Sequence, residues 1–125
     1  MKVANWKDLP EIPFNETGMR QIFAGERVML ARHVMRPGFP EFLHSHPHEQ
    51  IMYVLEGRCL FTVGDEKTEM GPGDMVHVPS GAPHDLSVVG DRPAVVIDVF
   101  SPVREDFIAQ FGQPSEGRAD ESEKG

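Results

Sequence analysis

Short runs of apolar and alternating residues follow one another from Met19 to Phe100, and no helical periodicity separates them. Turn-forming stretches such as RPGFP, GPGD and PSGAP lie between the runs. Nine short strands are predicted: MRQIF, RVMLARHVM, EFLHSH, QIMYVL, CLFTV, KTEM, MVHV, HDLSVV and AVVIDVF. Many short strands joined by tight turns predict an all-β sandwich or barrel.

The two ends of the chain follow other patterns. Residues 1–18 are polar and interrupted by proline, which predicts an N-terminal arm lying over a domain formed by residues 19–111. The segment SPVREDFIAQF predicts a short C-terminal helix, with Pro102 at its start and an apolar face. Residues 112–125 have no apolar residue beyond one alanine, so this tail is expected to be disordered.

The composition of the chain argues against several classes of binding partner and metal site. The formal net charge of −8 argues against nucleic acid or an anionic membrane surface as a partner. A lone cysteine, Cys59, excludes an internal disulfide and a cysteine-based zinc site. The chain shows neither the apolar stretch of a signal peptide nor a window of roughly 20 apolar residues, so a cytoplasmic location is expected.

Three histidines alternate within five positions, at His44, His46 and His48. Side chains at i and i+2 of a strand share a face, so His44 and His46 can point together into a cavity. His33 and His77 stand among apolar neighbours, a setting more typical of a structural histidine than of a metal ligand.

The spacing around these histidines resembles the two motifs of the cupin family. Four residues match the first motif, Gly-x5-His-x-His-x3-Glu-x6-Gly, namely Gly38, His44, His46 and Gly57, with Gln50 in place of the glutamate. Four match the second, Gly-x5-Pro-x-Gly-x2-His-x3-Asn, namely Gly73, Pro79, Gly81 and His84, with Val88 in place of the asparagine. The chain therefore resembles a small single-domain cupin of the cupin 2 type, and the resemblance implies a jelly-roll fold.

The same resemblance implies one divalent metal ion held by four residues: His44, His46, Gln50 and His84. Three imidazoles and an amide oxygen suit Zn, Ni, Fe, Cu or Mn, and leave positions open for water or substrate. Because Gln50 is uncharged, we expect a stronger Lewis acid that holds its metal less tightly than a glutamate site would. His48, which alternates with His46, is the alternative to Gln50 as a ligand.

Asp98 interrupts the otherwise apolar last strand, AVVIDVF. Burying an unpaired carboxylate is costly, so Asp98 must face either the metal cavity or a strand edge open to water.

The stretches HSHPHEQIMYVLEGR and DVFSPVREDF resemble one cupin subgroup, known as the pectin-degradation or uronate-linearising protein. That subgroup converts 4,5-unsaturated uronate monosaccharides to open-chain 4-deoxy-5-keto-uronate. Its pocket residues match Asp98, Phe100 and Arg104 here. The resemblance implies that Asp98 and Arg104 are catalytic and that Phe100 and Arg104 bind a small anionic sugar. An ion pair of Arg104 with Glu105 or Asp106 is the alternative.

Three functions are compatible with these residues: a metal-assisted uronate ring-opening enzyme, another small-cupin metalloenzyme (a dioxygenase or lyase), and a non-catalytic sugar- or anion-binding cupin. Asp98 favours an enzyme, because pure recognition of an anion would not place a carboxylate beside it.

Strand alternation also predicts assembly. If Gln50 and Asp98 point inward, the opposite faces of their strands carry six apolar or aromatic residues: Ile51, Tyr53, Leu55, Val95, Ile97 and Val99. An exposed patch of this kind is an association surface, so we expect a two-fold homodimer packed sheet against sheet.

Overall fold

The alternating runs form two antiparallel sheets in the computed structural model, which describes residues 1–111. The elements are a 3-10 turn at Trp6–Asp8 and the strands β1 Ile12–Asn15, β2 Gly18–Ala24, β3 Met29–Met35, β4 Glu49–Glu56, β5 Arg58–Val63, β6 Glu66–Met70, β7 Met75–Val78, β8 His84–Val89 and β9 Ala94–Ser101, followed by the helix α1 Glu105–Phe111. The predicted disordered tail, residues 112–125, lies outside the described residues.

The sheets have the orders β1-β2-β3-β9-β4-β7 and β6-β5-β8. Their inner faces enclose a core formed by ten buried residues: Met35, Met52, Val54, Cys59, Phe61, Met70, Val78, Leu86, Ala94 and Val96. The alternation predicted for β4 is confirmed, since Gln50, Met52 and Val54 are buried while Ile51 and Leu55 are exposed. The all-β jelly-roll prediction is therefore confirmed, with a short C-terminal helix.

The loop that carries the first two histidines differs from its prediction. EFLHSH forms no strand, and only an isolated bridge joins His44 to His84, with backbone hydrogen bonds of 3.0 and 2.9 Å. Pro40 and Pro47 bracket the segment, and because proline has no N–H group, neither can donate to a sheet ladder. The helix also begins at Glu105, three residues after Pro102.

The N-terminal segment contains a strand that the sequence pattern did not predict. β1 pairs with β2 and forms the edge of the larger sheet, where Pro13 is tolerated. Ahead of β1, the chain is fastened to the outer face of β2, because the Gln21 side-chain amide donates to the carbonyl oxygens of Trp6 and Leu9.

The apolar residues on the outward face of the larger sheet are less exposed to solvent than strand alternation predicted. Val95 and Ile97 are 6% and 2% exposed within the single chain, whereas Ile51, Leu55 and Met75 are exposed. The apolar surface is therefore confined to the β4–β7 side of the sheet. No helix among residues 1–111 is long and apolar enough to cross a membrane.

Candidate metal centre

Two loop segments and the start of one strand bring three histidines together. His44 and His46 lie between β3 and β4, and His84 begins β8. The His44–His84 bridge fixes one pair, and the Gly81 amide donates to the His46 carbonyl oxygen at 2.8 Å. Gly81 has a φ of +78°, which a residue with a side chain rarely adopts. One ring nitrogen from each of the three lies within 4.8 Å of the others.

The backbone selects the tautomer of each ring. Nδ1 of His44, His46 and His84 lies 2.8, 3.0 and 2.8 Å from the carbonyl oxygens of Phe42, His48 and Ala82. A carbonyl oxygen only accepts, so each Nδ1 carries the hydrogen and each Nε2 keeps a lone pair. Metal-binding histidines are commonly oriented in this way.

Burial keeps the rings of His46 and His84 neutral. It lowers the pKa of His46 to about 4, aided by the positive charge of Arg104, and it also lowers the pKa of His84. Within the described residues, the buried Nε2 atom of His84 has no hydrogen-bond partner. A neutral imidazole with an unsatisfied lone pair is suited to hold a cation.

Gln50 adds an oxygen to the same cluster. Its Nε2 donates to Asp98 Oδ1 at 2.6 Å, which turns its Oε1 toward His46 Nε2 at 3.0 Å. Because that nitrogen also bears a lone pair, two acceptors face each other. A cation placed between them would satisfy both, so the donor set fits a divalent transition metal.

Asp98 faces the cavity and is only 5% exposed. Its Oδ2 lies 2.8 Å from Nδ1 of His33, so both carboxylate oxygens have partners. A glutamate at position 50 would bring a negative charge to the metal directly. Here Asp98 carries that charge, and it is linked to the site through its hydrogen bond with Gln50. Because Asp98 partly offsets the metal's positive charge, we expect the replacement of glutamate by Gln50 to weaken metal binding less than the sequence alone suggested.

Aromatic rings and guanidinium groups alternate along another wall of the cavity. The Arg104 Cζ atom lies 5.0 Å from the Phe100 ring centre and 4.1 Å from that of Phe107. Arg20 stacks on the other side, with its Cζ 3.7 Å from the Phe107 ring centre and 4.3 Å from that of Phe14. Such stacking holds the planar groups in fixed orientations.

Arg104 forms the ion pair that the sequence left as an alternative. Its Nε and Nη2 donate to the two carboxylate oxygens of Asp106 at 2.9 and 2.7 Å. The guanidinium holds the pKa of Asp106 below its usual range. The arginine side chain is only 12% exposed while that of Asp106 is 59% exposed, so the carboxylate partner is the more easily replaced of the two.

The cavity enclosed by these walls has a volume of about 560 Å³. Its lining includes six of the seven site residues predicted from the sequence: His44, Gln50, His84, Asp98, Phe100 and Arg104. His46 adjoins it through the three-histidine cluster.

The remaining histidines lie apart from the cluster. The ring of His48 is 5.4 Å from that of His46, but His48 does not belong to the cluster, and it is its backbone carbonyl that bonds His46. His77 is exposed and pairs with Glu49 on the surface. His33 is buried with Asp98, which makes it part of the site's surroundings rather than an isolated structural residue.

Arg20 is the site residue that sequence reasoning missed. Burial and the charge of Arg104 lower its pKa to about 10, and its Nε donates to Nε2 of His33 at 2.7 Å. Alternation along β2 and β3 could have placed both residues on the inward face, but it could not have placed them opposite each other. Arg20 is directly opposite His33 in the β2–β3 register, and both share the face of buried Ile22 and Ala31.

Two curated proteins match about half to three fifths of this chain in sequence. A protein of Methanocaldococcus jannaschii, uncharacterized by name, is 35% identical over 77 residues, which cover 61% of this chain and 62% of that protein. The match thus spans slightly less than two thirds of this relative. The acireductone dioxygenase of Geobacillus thermodenitrificans is 30% identical over 66 residues, or 48% of this chain and 37% of the enzyme.

Solved structures match over more of the chain. A RmlC-like cupin from Shewanella frigidimarina has a TM-score of 0.78 at 26% identity and covers 83% of this chain and 93% of its own. KdgF from Halomonas sp. has a TM-score of 0.74 at 27% identity and covers 81% and 94%. Residues 31–100 match the Cupin domain family. With its jelly-roll sheets and three-histidine cluster, the chain therefore belongs to the cupin family.

Proposed function

We propose that this cupin is a metal-dependent enzyme that opens the ring of a 4,5-unsaturated uronate monosaccharide to give 4-deoxy-5-keto-uronate. The observation that carries the proposal is a buried carboxylate, Asp98, in a cavity that also contains the three-histidine cluster and the stacked guanidinium of Arg104. Likeness to KdgF, a protein associated with pectin degradation, supports the same substrate class.

The cavity suits a monosaccharide in size and polarity. A volume of about 560 Å³ lies within the range of small-molecule sites. Phe100 supplies an apolar surface for the ring, and Arg104 offers a planar fork for the sugar carboxylate. Because Asp106 is largely exposed, the entering carboxylate would take its place on Arg104.

The reaction is an isomerisation, so atoms balance without a co-reactant. Asp98 accepts the proton of the C1 hydroxyl as the C1–O5 bond breaks, which leaves an aldehyde at C1 and an enolate at C5. Asp98 then returns the proton to C4 as the enolate becomes the 5-ketone. A divalent metal held by His44, His46, Gln50 and His84 would act as a Lewis acid toward a substrate oxygen.

The direct test supplies the purified, metal-loaded protein with the product of a pectate or alginate lyase and follows the unsaturated-uronate absorbance. We expect the absorbance to fall faster than in a matched sample without protein. Binding of the sugar without any change in that rate would instead identify a sugar-binding cupin.

We also propose a two-fold homodimer formed through the β4–β7 side of the larger sheet. Ile51, Leu55 and Met75 are exposed there at 45%, 42% and 71%. Light scattering at micromolar concentration should give the mass of a dimer. Met75→Glu should give the mass of one chain, and a wild-type monomer would contradict the proposal.

A further inference from the structure

Four polar side chains from four strands form an unbroken line that ends at the three-histidine cluster. Arg20 on β2 donates to His33 on β3, His33 contacts Asp98 on β9, and Asp98 accepts from Gln50 on β4. The distances along the line are 2.7, 2.8 and 2.6 Å. His33, Asp98 and Gln50 are each 5–6% exposed, so water has little access to these bonds.

Each member of the line fixes the hydrogens of the next. A guanidinium only donates, so His33 must accept at Nε2, and the neutral ring then carries its hydrogen on Nδ1, facing Asp98. The carboxylate only accepts, so Gln50 turns its NH₂ group to Asp98 and its oxygen to His46. Only one assignment of donors and acceptors along the line is therefore consistent, and it places the Gln50 oxygen toward His46.

The orientation of the Gln50 amide matters because its oxygen accepts hydrogen bonds and its NH₂ group donates them. With the oxygen toward the cluster, Gln50 offers a metal ligand, whereas the opposite orientation would place hydrogen-bearing nitrogen against the cation. A glutamate has two equivalent oxygens and needs no such control. The substitution of glutamine in the cupin motif therefore creates a requirement for an orienting partner.

We infer that Arg20 and His33 are positioning residues that act through Asp98 to hold the Gln50 oxygen toward the three-histidine cluster, and thereby set the cation affinity. The inference rests on the proposed metal site. Both residues lie outside the two cupin motifs, so neither would be selected as a metal-site residue from motif spacing alone.

The test measures Co²⁺ affinity by competition with a chromophoric chelator. We expect His33→Leu to weaken binding about 10-fold, at the lower end of the effects known for groups that orient metal ligands. Arg20→Met should weaken it by a smaller factor, since the ring stays but loses the donor that fixes its tautomer. His33→Asn keeps an N–H donor near the Nδ1 position and should restore most of the affinity.

A double-mutant cycle separates positioning from general damage to the fold. In a Gln50→Ala background, His33→Leu should cause no further loss, because the group on which it acts is gone. The ligand-field spectrum of Co²⁺ in His33→Leu should also shift toward that of Gln50→Ala. If His33→Leu folds poorly, the same cycle with Arg20→Met replaces it.

The outcomes distinguish the two proposals. Unchanged Co²⁺ affinity in His33→Leu and Arg20→Met, or an equal loss with and without Gln50, would overturn the positioning role and leave the metal site standing. A wild-type protein that does not bind Co²⁺ would overturn both.

Discussion

The two ends of the cavity are built in different ways. At the histidine end, backbone groups hold the rings, since each Nδ1 bonds a carbonyl oxygen within two residues along the chain. At the opposite end, side chains hold side chains, as in the stacking of Phe107 between Arg20 and Arg104 and the bond from His33 to Asp98. Local backbone contacts leave a fixed spacing in the sequence, whereas contacts between distant strands do not.

This difference suggests that one end of the cavity holds the metal ion and the other binds the substrate. At the histidine end, the ring orientations are fixed by backbone contacts within two residues along the chain. The guanidinium end, where Phe107 lies between Arg20 and Arg104, is assembled from β2, α1 and the segment before it. Arg104 lies outside the hydrogen-bonded line from Arg20 to Gln50, so its substitution can change charge and shape without disturbing the metal ligands. We therefore expect variants of the histidine ligands to change metal affinity, and variants of Arg104 to change substrate affinity without changing metal affinity.

The largest effect is expected at the group that joins the two ends. Asp98→Asn should lower kcat about 10²- to 10⁴-fold, the usual contribution of a proton-transfer group. The asparagine oxygen can still accept from Gln50, and only the bond from His33 is lost, so metal content measured with metal in excess should stay near one ion per chain. Full turnover in this variant would exclude Asp98 as the proton carrier.

Removing a ligand at the histidine end should affect the metal first. His84→Ala leaves His44 and His46 in place but removes a buried nitrogen whose lone pair faces the cluster. We expect metal affinity to fall roughly 10- to 100-fold or more. His48→Ala is the matched control, and a comparable loss there would show that His48 rather than Gln50 completes the site.

At the guanidinium end, the loss should appear in substrate affinity. Arg104→Ala removes charge-assisted hydrogen bonds worth about 1.5–3 kcal/mol, so KM should rise about 10- to 100-fold while metal affinity is retained. Asp106→Asn is the control, because it weakens the competing partner of Arg104 and should not raise KM. If Arg104→Ala changed metal affinity as much as KM, the two ends would not be separable.

The sequence predicted the histidine end more fully than the opposite end, because local backbone contacts leave a fixed spacing in the sequence and contacts between distant strands do not. Resemblance to the two cupin motifs identified His44, His46 and His84, even though EFLHSH is not a strand and a single bridge joins His44 to His84. That Asp98 faces the cavity was one of the two alternatives that followed from the cost of burying an unpaired carboxylate. The partnership of Arg20 with His33 depends on the register of β2 against β3, which no local pattern specifies.

The smallest effect concerns pH and the stability of the metal-free protein. Burial lowers the pKa of His46 from 6.5 to about 4, so the unfolded chain takes up a proton at a higher pH than the folded one. Stability is therefore fully present above about pH 6.5 and is lost progressively as the pH falls toward 4, the same direction as for His84. Thermal unfolding across this range should show a falling midpoint.

The matched variant for this prediction is His46→Gln, which fills similar space without a group that titrates near neutral pH. The difference in unfolding midpoint between wild type and variant should change across the range from pH 6.5 to 4, because only the wild type has a group at position 46 whose pKa falls on folding. Carboxylates titrate in both proteins and cancel in the comparison. Parallel midpoint curves would show that His46 is as easily protonated in the folded chain as in the unfolded one, and the histidine end would then lack the dry, neutral character on which its cation affinity depends.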